Sequence, residues 1–129
     1  MTKATTSISL ASCLIVVAAV VFILIGLFEL TNYFFQTSPN FFEVFFYASI
    51  GIGLFEKHTW SRTLGMITST LTILSGLYFL IASGEVFWNG SSVGWGDGFV
   101  LVAIIVHSCL LYVLSRNDVK NQFIQKETR

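Results

Sequence analysis

Residues 51–65 read GIGLFEKHTWSRTLG. A glutamate, a lysine, a histidine, a tryptophan and an arginine fall within seven consecutive positions, Glu56 to Arg62. The fold turns on whether this is a catalytic or metal-binding cluster, or a polar turn between two apolar helices. Its flanks decide. FFEVFFYASIGIGLF (41–55) precedes it and TLGMITSTLTILSGLYFLIAS (63–83) comes after it. Neither flank alternates with the two-residue period of a barrel strand, and both read as membrane helices.

Composition agrees. Of 129 residues, 54% are hydrophobic and 11% charged, and mean hydropathy is +0.77. A soluble domain carries about 25% charged residues, and a single core of this length cannot hide so many apolar side chains. Apolar runs predict an all-α membrane protein, a single domain of four transmembrane helices in an antiparallel bundle. The spans cover about 8–30, 39–57, 63–83 and 97–116, with a tail at 117–129. A crossing needs roughly 20 residues. The first and third spans satisfy this directly. The second and fourth reach it only by including Lys57 and Arg116, whose long side chains can snorkel to the surface. Leu10-Ala11-Ser12-Cys13 resembles a lipoprotein cleavage box, but its apolar run follows the cysteine, so the first span is read as retained.

Charge predicts the orientation. Lys3 precedes span one, Lys57 and Arg62 separate spans two and three, and Arg116, Lys120, Lys126 and Arg129 follow span four. All seven basic residues therefore fall on one side, and the opposite loops, 31–38 and 84–98, hold none. The positive-inside rule then places both termini in the cytoplasm. Lys57, Trp60, Arg62, Arg116 and Lys120 are the expected cytoplasmic anchors. Glu29, Glu43, Glu85 and Asp97 sort to the outer ends. The segments at 23–30 (ILIGLFEL) and 73–80 (ILSGLYFL) are alike, but such a pattern arises easily in apolar sequence.

Lipid removes the hydrophobic drive between helices, so close packing at small residues must replace it. Gly65, Ser69, Thr72 and Gly76 supply such faces on span three, and Gly51 and Gly53 on span two. Spans two and three are expected to form the central hairpin, with the bulkier spans one and four facing lipid or partners.

Few residues carry chemistry. His107 lies mid-span, where a polar ring is costly and often functional. It could carry a proton, ligate a metal or haem, or bind a quinone; the bland reading is a structural histidine bonded to a Ser or Thr of span three. Glu29 lies about one turn inside its span's outer end, where the helix dipole disfavours it, and is the best candidate for a functional carboxylate. Asn40 and Glu43 have capping-box spacing. Cys13 and Cys109 read as buried inert thiols. Asn89-Gly90-Ser91 is either a glycosylation sequon or, better, an Asn-Gly turn, in an outer loop expected to be flexible. In the tail, Val119 and Phe123 share a helix face, predicting a surface-lying amphipathic turn. No catalytic motif or metal-ligand spacing occurs, so no catalytic residue, metal or cofactor is expected. Zero formal net charge gives no basic patch for nucleic acid.

Two segments, GLFEKHTWSRTLGMITSTLTILSG (53–76) and LLYVLSRNDVKNQF (110–123), resemble a pattern in small prokaryotic four-span membrane proteins of unknown function. The shared features are a Trp-x-Arg inner turn and a Leu-Tyr-x-Leu-x-Arg ending followed by Val-Lys and a Phe. Asn117-Asp118 stands where such endings often have a Pro-containing turn. The resemblance implies a prokaryotic cytoplasmic membrane and no particular chemistry. Small size, minimal loops and small-residue faces point to an accessory or assembly subunit of a larger membrane complex, whose partners are lipids and other integral subunits or copies of itself. The alternatives are a small oligomeric transporter or channel using Glu29 or His107, and a membrane redox component using His107.

Overall fold

The computed structural model describes the backbone of residues 2–35, 41–88 and 95–128, and the side chains of 10–31, 41–82 and 98–128. Every described element is helical: α1 (Thr2–Phe35), α2 (Phe41–Phe55), α3 (Thr59–Trp88), α4 (Trp95–Ser115) and α5 (Asn117–Glu127). Three stretches are long and apolar enough to cross a membrane: Leu10–Thr31, Thr59–Ala82 and Gly98–Ser115. The fourth apolar helix, α2, has 15 residues, about 22 Å at 1.5 Å per residue, against about 30 Å of hydrocarbon.

The C-terminal end of α2 differs from the expectation. The helix stops at Phe55 and does not reach Lys57. His58 N–H donates to Gly53 O (2.8 Å) and Lys57 N–H to Leu54 O (3.0 Å), with Lys57 at φ 59°. This is a Schellman ending, in which the left-handed residue is usually glycine. A lysine there carries strain that glycine would not. The opposite ends of the helices also differ. α1 runs on to Phe35, α3 continues to Trp88 and α4 starts at Trp95, so much of the expected 84–98 loop is helix. The side chains of Glu85, Asp97 and Lys3, the Asn40 cap, the Asn89 sequon and Arg129 lie outside the described residues.

Packing follows small residues, but not between the expected partners. A Cβ on Gly51 would lie 2.6 Å from Ile23 Cγ1 and 2.9 Å from Ala19 O, so α2 rests on α1 there. Gly26 of α1 faces Val44 O and Ala48 N of α2 in the same way, which fixes an antiparallel pair. Gly65 faces Leu114 and Phe22, and Gly76 faces Ile104 and Val100, so α4 runs antiparallel along α3. Of these glycines, Gly53 marks the α2–α3 contact, against Ser61 and Trp60 beside the turn.

The hub is therefore α1 and not an α2–α3 hairpin. Ala11, Ile15, Ala18, Ala19 and Phe22 form one buried stripe at helical spacing. In α1, 33% of the most apolar window is buried, against 17% in α3 and 17% in α4. Its small alanines let neighbours approach, which its Val- and Ile-rich composition disguised. Cys13 and Cys109 point outward and are free thiols, not the buried pair expected.

The tail is likewise corrected. Val119 and Phe123 of α5 are fully buried, in one cluster with Ile15, Leu54, Leu110 and Leu114. α5 is thus docked under the helix ends. Lys57 Nζ donates to Gln122 Oε1 (3.1 Å), Lys126 Nζ to Glu56 O and Thr59 Oγ1 to Glu127 Oε1.

Candidate functional site

Two regions gather polar side chains. The first is the end of the bundle that holds the 56–58 turn and α5. Glu56 Oε2 lies 2.9 Å from His58 Nε2, and the His58 ring stacks on Trp60, centroids 6.2 Å apart. Arg62 Nε donates to Leu114 O (2.8 Å), satisfying a carbonyl near the end of α4 that has no helical partner. Arg116 grips Asp118 with two bonds, Nε to Oδ1 (3.1 Å) and Nη2 to Oδ2 (2.9 Å). This grip raises the guanidinium above its ordinary value and holds the Asp118 carboxyl below its own. Glu56, His58, Arg62, Arg116 and Asp118 each meet a neighbouring side chain or carbonyl, and no group of three or more metal-ligating side chains occurs among the described residues. The cluster is an end cap.

The second region is a cleft of about 430 Å³ between the helices. Glu29 lines it from α1, Tyr47 from α2, Thr72 from α3 and His107 from α4, amid apolar side chains. It runs along α1 from Val21 to Glu29, about 12 Å at the helical rise. Exposed Leu24, Phe28, Phe99 and Val102 form its open side. The two polar residues singled out in the sequence thus share one cavity. Tyr47 joins them without any sequence signal, because it reads as one more interfacial aromatic. Thr72, expected only to pack, also lines it.

Helix register explains the meeting. With Gly65 against Leu114 and Gly76 against Ile104, Thr72 falls opposite His107. His107 is 4% exposed. Its Nδ1–H donates to Ala103 O (2.8 Å), one turn back, where helical side chains lean. The expected bond to a Ser or Thr of α3 is not made. A carbonyl can only accept, so Nδ1 bears the proton and Nε2 presents a lone pair. That Nε2 is buried with no partner among the described residues, as is Ser69 Oγ. A buried acceptor left unmatched costs about 1–3 kcal/mol.

The other polar groups can be assigned by the same counting. Thr72 Oγ1 donates to Thr68 O (2.9 Å) and lies in hydrogen-bond reach of the Tyr47 hydroxyl. Thr72 has thus spent its proton, and the Tyr47 phenol can both donate and accept. Glu29 is half-buried, and Glu43, in the first turn of α2, adds negative potential to Glu29 and Tyr47. Among the described residues, no lysine or arginine lines the cleft. Comparison with protein-family models, curated proteins and solved structures finds no match for the chain.

Proposed function

We propose that the chain is a four-span protein of a prokaryotic cytoplasmic membrane, with both termini inside, acting as an accessory or assembly subunit of a larger membrane complex. The topology rests on basic side chains of the 56–58 turn, α3 and α5 (Lys57, Arg62 and Lys126) gathering at one end. α2 completes the fourth crossing by local thinning and the reach of Lys57. The subunit role rests on one observation. On α3, Ile67, Leu71, Leu74, Tyr78 and Ile81 are each at least half exposed. Their 4-3-4-3 spacing repeats the seam that packs one helix against another, and the occupant it fits is an apolar transmembrane helix of a partner protein. The test is purification in mild detergent with identification of co-purifying chains, repeated for Leu74→Ala with Tyr78→Ala. Loss of a defined partner in the double variant supports the role. A monodisperse small homo-oligomer with no other chain counts against it.

A second reading, a small oligomeric transporter or channel, draws support from Glu29 and His107 lining one cleft. In a reconstituted transport assay Glu29→Gln abolishes movement on this reading, and unchanged transport removes Glu29 as the site.

A further inference from the structure

We infer that the cleft between α1 and α4 binds an amphiphilic amine, a molecule with one protonated amine head on an apolar, ring-bearing body. The polar inventory carries this. The Glu29 carboxyl and the Tyr47 oxygen belong to residues that line the cleft and can accept, while His107 lines it with its Nε2 buried. The Thr72 proton is committed to Thr68 O and the His107 proton to Ala103 O. A carboxylate or phosphate ligand would bring more acceptors to a site with no lysine or arginine among its described residues, and would meet Glu29 and Glu43 as well. An ammonium brings three donors and a compensating charge.

The walls select the rest of the molecule. Phe28 and Phe99, ring centroids 6.2 Å apart, line the Glu29 end, where an aromatic face attracts a cation. Below them Val21, Ile25 and Val106 line the apolar part. A volume near 430 Å³ lies within the range of about 300–1,000 Å³ typical of small-molecule sites. His107 contributes to this lining, with its Nε2 buried and without a partner among the described residues.

This inference does not depend on the subunit role, and it names the ligand class that the transport reading requires. Binding without transport leaves it standing and removes that reading.

The test uses the purified full chain and three probes with one ring system: naphthylmethylamine, naphthylmethanol and naphthylacetate. Saturable binding is followed at neutral pH by equilibrium dialysis. The amine is expected to bind about tenfold or more tighter than the alcohol, because a charge-assisted bond is worth about 1.4 kcal/mol or more. The carboxylate shows no saturable binding. Glu29→Gln brings the amine down to the level of the alcohol, and His107→Leu weakens both. Ala103→Phe, which fills the cleft, abolishes saturable binding of the amine. Ala103→Leu adds less bulk and weakens it, and serves if the larger variant is not monodisperse. Equal binding of all three probes overturns the inference. So does amine binding that survives both Glu29→Gln and filling at Ala103.

Discussion

Single residues decide how closely these helices can approach. Gly51 and Gly98 make a matched pair. A Cβ at Gly51 meets Ile23 Cγ1 at 2.6 Å and the Ala19 carbonyl at 2.9 Å. The side chain can turn aside, but the carbonyl belongs to the α1 backbone and can yield only if the helices part. At Gly98 nothing lies within 4 Å. Gly51→Ala is therefore expected to destabilise by about 1–3 kcal/mol, the usual cost of overpacking. Gly98→Ala should be neutral or stabilise by up to about 1 kcal/mol through helix propensity. Unfolding in mixed detergent micelles reads both, and a Gly51 variant as stable as the parent would remove the close contact. That small residues matter was legible in the sequence. Which helix each one faces was not, because a glycine has no side chain to carry a direction. Glu29 and His107 stood out as polar exceptions in apolar runs. Their meeting in one cleft needed the packing of α1 beside α4, which no local pattern encodes.

At the scale of elements, α5 departs furthest from the reading of its sequence. Val119 and Phe123 lie on one face of a helix whose other residues, apart from exposed Ile124, are polar. That pattern fits equally a helix on a lipid surface or one docked on protein, and amphipathicity cannot separate the two. The docked form arises because the chain breaks for one residue at Arg116, φ −60° and ψ 139°, and turns α5 back under α1 and α4. Phe123→Ala should cost about 3 kcal/mol of docking, at the lower end for a buried aromatic. Hydrogen exchange should then accelerate across Val119–Ile124 while α1 and α4 stay protected. Unaltered protection would mean that Phe123 does not hold the helix. Asp118 adds a pH dependence. The Arg116 bonds lower its folded-state pKa below the unfolded value, so its contribution is complete above the ordinary carboxylate value. It is lost as pH falls through the depressed folded value. A spin label at exposed Gln125 should therefore gain mobility on acidification, and Asp118→Asn should give the mobile state with no acid step of its own.

For the whole molecule, the question is which helix carries the assembly. All-α class and membrane helices were legible from apolar density, because lipid tolerates little else. The centre of the packing was not. Bulk suggested that the first span faces outward, yet its alanines are spaced to bury Ile15 and Phe22 among the other helices. Phe22 bears most directly on this. Its ring stacks on Tyr47 of α2, centroids 6.4 Å apart, and abuts the backbone of Gly65 in α3, so one side chain ties three helices. Lipid offers apolar contacts of its own, so the transfer of Phe22 from lipid contributes little and its value lies in close packing. Truncating it leaves a void that three helices must share and cannot all close. Phe22→Ala is expected to destabilise by about 3–5 kcal/mol, and to loosen the cleft through Tyr47. Ile105, 62% exposed on α4, loses only outward contacts, and Ile105→Ala should stay within about 0.5 kcal/mol. Steric-trap or denaturant unfolding in bicelles distinguishes the two. Equal costs would place the core elsewhere than along α1. If Phe22→Ala also weakens amine binding while Gly98→Ala does not, then the hub that holds the helices together also shapes the cleft.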